Sequence, residues 1–190
     1  YDHVGVKDGV VYNGADDDGS GTVAMIEIAE AFAQAKAAGH GPRRSVLVMA
    51  VSGEEKGLLG SRDYSEHPVF PLSNTVADLD IDMIGRRGSA HQASAPYVHV
   101  IGSDRLSSGL HEANERANKT YTKLDLDYTF NAEHDPNRFY YRSDHYNFAR
   151  KGIPSLFYFS GIHEDYHQPG DDAEKIDLDL LHQRTLLAFH

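Results

Sequence analysis

The chain has 190 residues, of which 40% are hydrophobic and 25% charged, the proportions of a globular domain with a sizeable core. The formal net charge of -11 at pH 7 argues against nucleic acid as a partner. Because cysteine is absent, any transition-metal site must be built from Asp, Glu and the 12 histidines. No apolar run approaches the roughly 20 residues that span a membrane. The chain opens on Tyr1 without Met, so we expect a trimmed piece whose signal region is not visible.

Predicted helices and strands alternate along the chain. In order, the pattern predicts a strand end at 1–6, a helix over 21–38, a buried strand over 45–52, a short helix near 58–65, a strand within 75–85, a strand at 97–101, a helix over 104–119, a strand at 124–130, a helix over 143–151, a strand at 155–159 and a helix over 178–189. The residues of the first helix that are expected to face inward are Val23, Ile26, Ala29 and Ala33. Alternation of this kind indicates an α/β fold with a largely parallel sheet.

The segment 7–21 is a loop rich in Asp and Gly, with Asp16, Asp17 and Asp18 in succession. Three carboxylates cannot pack unpaired in an apolar core, so the loop is either a flexible turn or a cation-binding segment. Its spacing does not fit the calcium loop of an EF-hand, because it lacks the Asp-x-Asp-x-Asp-Gly run. Asp16 and Asp18 are expected to be loop acids rather than ligands.

Two adjacent carboxylates, Glu54 and Glu55, follow the apolar run 46–51 and Gly53. Neighbouring residues point in different directions, so these two glutamates are not expected to share a role. One interpretation is that one glutamate binds a metal and the other moves protons beside it. The other is a solvated acidic loop before a helix, and this stretch alone leaves both open.

The alternating stretch 75–85 places Asp78, Asp80 and Asp82 on one face of a strand, as an amphipathic edge strand would. Asp82 differs from the other two because it lies at the C-terminal end of the strand, where open α/β sheets place ligands. The loop 161–172, which contains His167, is dense in histidine and acidic residues.

The ends of core strands gather at one edge of an α/β sheet, so polar residues far apart in the sequence can meet there. The four candidates for a shared metal site are Asp17, Glu55, Asp82 and His167. Carboxylates with an imidazole form a ligand set that suits zinc. No single segment is decisive, but the segments are specific as a set.

Six segments resemble, in order, the motifs of the bacterial zinc aminopeptidases, metallopeptidase family twenty-eight. They are 1–5 (YDHVG), 14–21 (GADDDGSG), 53–61 (GEEKGLLGS), 79–85 (LDIDMIG), 142–145 (RSDH) and 165–169 (DYHQP). The resemblance covers nearly the whole chain. It implies a di-zinc exopeptidase with a three-layer αβα fold around a central mixed, mostly parallel sheet. We therefore expect residues 1–190 to form a single zinc-peptidase catalytic domain that is truncated at its N-terminus and lacks its first strands.

The resemblance also implies a role for each matching residue. Asp17 is similar to the aspartate that bridges both metals, Glu55 and His167 are similar to the other ligands of one zinc, and Asp82 is similar to a ligand of the second zinc. Glu54 resembles the general base, and Asp2 resembles the acid behind a metal-bound histidine. Tyr166 resembles a phenol that hydrogen-bonds the oxyanion. The family further implies a cis peptide bond after Asp17.

One departure from the family pattern concerns a histidine ligand of the second zinc, whose matching position lies one residue before Tyr1. His3 is not expected to replace it, because side chains alternate along a strand and His3 would face away from Asp2. We therefore expect a strong first zinc site and a weak or empty second one.

The main hypothesis is an aminopeptidase that hydrolyses N-terminal residues from peptides through a metal-bound water, with Glu54 as general base. The alternatives are a carboxypeptidase, dipeptidase or glutaminyl-cyclase-like activity on the same fold, or a non-catalytic binding domain. We expect a peptide substrate and a secreted or periplasmic location.

Overall fold

A computed structural model describes residues 3–190 of the chain. The strands of its central sheet are β3 (Asp78–Ile81), β4 (Tyr97–Ile101), β5 (Asp125–Asp127) and β6 (Ser155–Phe159). They lie in the order β3-β6-β4-β5, with β6 parallel to β3, antiparallel to β4, and β4 parallel to β5. A separate antiparallel hairpin joins β1 (Gly5–Lys7) to β2 (Val10–Tyr12).

The helices cover both faces of this sheet. They are α1 (Gly21–Ala37), α2 (Leu59–Glu66), α3 (Ser108–Ala117), α4 (His145–Ala149) and α5 (Leu178–Phe189). Within residues 3–190, none of the helices combines the length and the apolar character needed to cross a membrane.

The strands β4 and β6 are buried at every position, as their mainly apolar sequences predict. Alternate residues of β6 enter two different cores. Leu156 and Tyr158 pack with Ala24 of α1 and Leu187 of α5. Phe157 and Phe159 pack on the opposite face with Met83, Phe139 and Ala149. The predicted three-layer αβα architecture with a mixed sheet is confirmed.

The buried strand predicted over 45–52 is wrong. No strand forms there in the described part of the chain, and Val46, Leu47 and Val48 are 48%, 52% and 38% exposed. A strand needs main-chain partners on at least one side, and none of the strands within 3–190 pairs with this segment. The apolar sequence of this segment predicted a buried strand, but the segment has no neighbouring strand within 3–190 that would bury it.

Helix α1 has nearly the predicted bounds, but its buried face is different. Ala24 and Ile28 are buried, whereas Val23 and Ile26 are exposed. The helix is oriented by Gly21, where a Cβ atom would collide with the main-chain oxygen of Ile81. Residues one and two turns after that close approach continue the buried face, so tertiary contact rather than side-chain size selects it.

Strand β3 is an edge strand and is shorter than its alternating sequence predicts. Its ladder with β6 begins at Asp78 and ends at Ile81. One of its acidic residues is structural, since Asp80 accepts the main-chain N–H of His145 at 3.2 Å. Asp78 and Asp80 are half-buried, whereas Leu79 is exposed.

Candidate metal centre and active site

Asp17 lies in a tight turn, Ala15–Ser20, that is held from outside. The turn begins at Gly14, which has φ 61°, and a Cβ atom there would collide with the Asp17 carbonyl and the His3 ring. The Asp171 carboxylate accepts the main-chain N–H groups of Asp16 and Asp17, each at 3.0 Å. The peptide bond between Asp17 and Asp18 is cis, as expected.

The acids on either side of Asp17 fasten the turn to the end of β3. Asp16 is fully buried, accepts the main-chain N–H of Gly85 at 2.6 Å and lies 3.2 Å from His163 Nε2. Asp18 accepts the main-chain N–H of Met83 at 3.0 Å. These two carboxylates are engaged by the fold, which leaves the middle one to face the cleft.

The two glutamates occupy a 3-10 turn, Glu54–Lys56, which follows Gly53 at φ 75°. They point in different directions, as adjacent residues are expected to do. Glu55 faces two imidazoles, whereas Glu54 lines the neighbouring cleft together with Asp17 and Asp82.

Three of the four predicted ligands meet at one point. His167 Nε2 lies 3.2 Å from Asp17 Oδ2 and 2.9 Å from Glu55 Oε1. For metal–ligand bonds near 2.0 Å in a tetrahedral site, the ligand atoms are about 3.3 Å apart. The spacing of these side chains therefore fits the ligands of a metal ion.

His3 joins the same group, which corrects the prediction that it faces away. Its Nδ1 lies 3.2 Å from Glu55 Oε1 and 3.8 Å from Asp17 Oδ2, and its side chain is buried. The alternation rule failed because it applies within a regular strand, and β1 begins only at Gly5. His3 precedes that strand and packs against the Gly14 turn.

Asp82 lies in the same cleft but gives no atom to the closest ligand group found among residues 3–190. Its Oδ2 accepts a hydrogen bond from Ser143 Oγ at 2.7 Å, and its Oδ1 is buried without one. Burial, with the nearby charges of Asp18 and Asp17, raises the pKa of the Asp82 carboxyl well above its usual range.

The residues present fit a divalent metal ion. His3 Nδ1, Asp17 Oδ2 and Glu55 Oε1 all lie within 4.8 Å of one another. Asp17 Oδ2 and both ring nitrogens of His3 are buried and accept or donate no hydrogen bond. Buried polar atoms without such partners cost free energy, and a cation shared by carboxylates and imidazoles would satisfy them.

Glu54 has the environment of a proton-transfer group. Burial, followed by the charges of Glu55 and Asp144, raises the pKa of its carboxyl to about 8. A carboxyl whose pKa is near neutrality can take up a proton and release it again.

Tyr166 lies over the predicted metal ligands. Its ring stacks on His167 with the centroids 3.9 Å apart, and its hydroxyl oxygen accepts a hydrogen bond from Arg142 at 3.2 Å. Burial and the charge of Asp17 raise the pKa of the phenol, so the O–H group remains available as a donor towards the cleft. Asp2, the predicted acid behind a ligand, lies outside the described residues.

The profile of peptidase family M28 matches residues 1–190. The chain belongs to this family. It is 32% identical over 184 residues to leucine aminopeptidase 1 of Penicillium rubens, covering 93% of this chain and 46% of that protein. It is 33% identical over 122 residues to a vacuolar membrane protease of Aspergillus clavatus, covering 60% of this chain and 12% of that protein.

Solved structures show the same M28 fold. BSAP, a zinc aminopeptidase from Bacillus subtilis, is 26% identical with a TM-score of 0.73, covering 94% of this chain and 41% of that chain. LapB from Legionella pneumophila is 23% identical with a TM-score of 0.74, and the match covers 94% of this chain and 46% of LapB. The chain therefore spans less than half the length of these relatives.

The cleft of this M28 chain has an acidic side and an apolar floor. The acidic side is formed by Asp17, Asp18, Glu54, Asp80, Asp82 and Asp144. The floor is formed by Met83, Phe139, Phe157 and Phe159. The floor belongs to one of the two cores, so its shape is fixed by packing.

Several site residues could not have been found from the sequence. Asp171 follows Gly170 in a loop where Asp172 is equally acidic, and nothing in the pattern distinguishes the carboxylate that binds the Asp17 turn. The apolar floor draws on three separate segments, and its phenylalanines look like ordinary core residues. For Ser143 a signal existed, because it lies within the family motif 142–145.

Proposed function

We propose that the protein is a metal-dependent aminopeptidase that releases N-terminal residues from peptides. The observation that carries the proposal is the meeting of Asp17, Glu55 and His167 beside Glu54. The proposal has one tightly bound ion, with Asp17, Glu55 and His167 as its protein ligands and a fourth position for water. His3 lies beside them, 3.2 Å from Glu55.

The roles of the residues follow from their positions. Asp17, Glu55 and His167 would hold a zinc ion, which supplies Lewis acidity and lowers the pKa of a bound water. Glu54 receives the proton of the attacking water and transfers it to the departing amine. The Tyr166 hydroxyl donates to the oxygen on which negative charge develops.

The charge of the cleft favours the N-terminal end of a peptide. Six acidic side chains line it, and the basic side chains of its lining within residues 3–190 are Arg142 and His167. A protonated α-amino group is attracted to such a surface, whereas a C-terminal carboxylate is repelled. The charge of the cleft therefore supports an aminopeptidase over a carboxypeptidase.

The floor of the cleft supports a preference for apolar N-terminal residues. Phe139, Phe157 and Phe159 offer aromatic faces that would bury an aliphatic side chain such as that of leucine. The name of the Penicillium rubens relative, leucine aminopeptidase 1, agrees with this preference.

A substrate panel on the zinc-loaded protein tests the proposal. Leucyl-p-nitroanilide should be hydrolysed faster than glutamyl-p-nitroanilide. N-acetyl-leucyl-p-nitroanilide, whose amino group is blocked, should not be hydrolysed. A peptide with N-terminal glutamine tests cyclase activity, and a peptide with a blocked N-terminus tests carboxypeptidase activity. Hydrolysis of the blocked substrates, or cyclisation without hydrolysis, would refute the aminopeptidase assignment. Absence of every activity would favour a non-catalytic binding domain.

A further inference from the structure

We propose a further metal site, formed by His91, His99 and Asp127, that takes a divalent transition-metal ion such as zinc. His91 Nε2 lies 3.0 Å from Asp127 Oδ2, and His99 Nδ1 lies 3.4 Å from the same oxygen. One ligand atom from each residue lies within 4.8 Å of the other two. This group shares no residue with the group around Asp17.

The secondary structure brings the three side chains together. His99 of β4 and Asp127 of β5 are direct neighbours in a parallel ladder, so their side chains leave the same face of the sheet. His91 belongs to the 3-10 turn Ser89–His91, and its ring stacks on Tyr97 with the centroids 4.1 Å apart. The stacking fixes the imidazole over the sheet.

A buried atom without a hydrogen bond points into this group. The His99 side chain is 2% exposed, and its Nδ1 makes no hydrogen bond although it faces Asp127. Asp127 Oδ1 accepts the main-chain N–H of Thr129 at 2.7 Å, which leaves Oδ2 directed at both imidazoles. A metal ion between these three atoms would satisfy the nitrogen of His99.

The distances and the ligand types indicate the class of metal. Separations of 3.0 and 3.4 Å bracket the roughly 3.3 Å expected between ligand atoms of a tetrahedral zinc site. Two imidazoles and one carboxylate also suit other late divalent transition metals.

An ion at this site would hold a surface loop to the floor of the cleft. His99 pairs across the sheet with Phe159, which lines that floor. Its ring also lies 4.3 Å from the ring of Phe130, which in turn lies 4.6 Å from that of Phe139. The ion would therefore join the loop carrying His91 to the aromatic residues beneath the substrate.

The test removes the ligands of each group separately. Metal-free protein is titrated with Zn²⁺ by calorimetry, and with Co²⁺ while the visible absorption of tetrahedral cobalt is recorded. A Glu55→Ala/His167→Ala protein should still bind one equivalent of either metal and show the cobalt spectrum. In that background, Asp127→Asn should abolish this equivalent, or weaken it by more than the roughly 10–100-fold cost of losing an outer-shell partner.

A second variant and a control protect the test against misfolding. His91→Gln changes a residue of the surface loop and should also remove the equivalent. His67→Gln removes an exposed pair in which His67 Nδ1 lies 3.2 Å from Asp63 Oδ1, and should leave metal binding unchanged. If the Glu55→Ala/His167→Ala protein binds no metal, or if Asp127→Asn and His91→Gln do not reduce its binding, the group is an ion pair only. This outcome is independent of whether the aminopeptidase assignment holds.

Discussion

The Asp171 carboxylate accepts the main-chain N–H of Asp17 at 3.0 Å, across 154 positions of the sequence. The same oxygen accepts the N–H of Asp16, also at 3.0 Å. The fully buried Asp171 side chain thus holds the main chain of the turn and not the side chain of the ligand Asp17. The position of the Asp17 side chain therefore depends on Asp171, which holds the main chain of the turn.

We expect Asp171→Asn to weaken zinc binding at the Asp17 centre by about 10–100-fold. The amide keeps an acceptor but loses the charge that holds two N–H groups, so the turn is less well ordered. The measurement is a zinc titration of the variant. Asp172→Asn is the matched control, because the neighbouring Asp172 accepts a hydrogen bond from the side chain of Asn13. Equal losses in both variants would contradict the positioning role of Asp171.

We expect Glu54→Gln to reduce kcat by at least about a hundredfold while the zinc content stays unchanged. The amide is nearly isosteric but cannot take up the proton of the attacking water. Steady-state kinetics and metal analysis of the same preparation test this separation. Glu66→Gln, which removes an exposed pair with Arg150, serves as the control. A fully active Glu54→Gln enzyme would rule out Glu54 as the base.

We expect Arg184→Met to lower the free energy of unfolding by about 3–5 kcal/mol. Arg184 is 1% exposed and donates hydrogen bonds to the main-chain oxygens of Tyr97, Ile84 and Arg86. Its removal leaves these buried oxygens without donors. Denaturant unfolding measures the effect, and Arg116→Met on the exposed surface should change stability by no more than about 0.5 kcal/mol. Similar values for the two variants would contradict this account of Arg184.

In the presence of a chelator, we expect the contribution of His99 to the free energy of unfolding to fall as the pH is lowered from about 6.5 to 4. Burial lowers the pKa of His99 from 6.5 to about 4, so between these pH values the unfolded chain binds a proton at His99 and the folded chain does not. The contribution is complete above pH 6.5 and corresponds to at most about 3 kcal/mol. The groups facing His99 are Asp127, His91 and Arg184.

The measurement for this pH effect is denaturant unfolding at a series of pH values. The difference in unfolding free energy between the natural protein and His99→Gln should shrink as the pH falls through that window, whereas Asp127, whose pKa is lowered, contributes mainly below its ordinary pKa of 3.8. An unchanged slope in the variant would show that His99 does not titrate differently in the folded and unfolded protein.

Some strands and helices of the fold could be predicted from the sequence, and others could not. Strands β4 and β6 were predicted with their observed bounds because both are buried on two faces and mainly apolar. The segment 46–48 has the same apolar character and forms no strand, because burial depends on pairing that a local pattern does not encode. The buried face of α1 failed for a related reason, since the contact of Gly21 with β3 selects it.

The candidate site shows a similar division. The convergence of Asp17, Glu55 and His167 followed from the rule that strand ends gather and from the resemblance to a known family. His3 was misplaced because strand alternation was applied to a residue before β1. The aromatic floor of the cleft forms only when residues from three segments pack together, so no local sequence pattern predicts it. The secreted or periplasmic location stays a prediction.

The most direct test of the central claim is a crystal structure of the zinc-loaded protein with anomalous data collected at the zinc edge. We expect an anomalous peak about 2.0–2.2 Å from Asp17 Oδ2, Glu55 Oε1 and His167 Nε2, with Glu54 beside it but not bound to it. A zinc-loaded crystal with no peak between these three atoms would contradict the account.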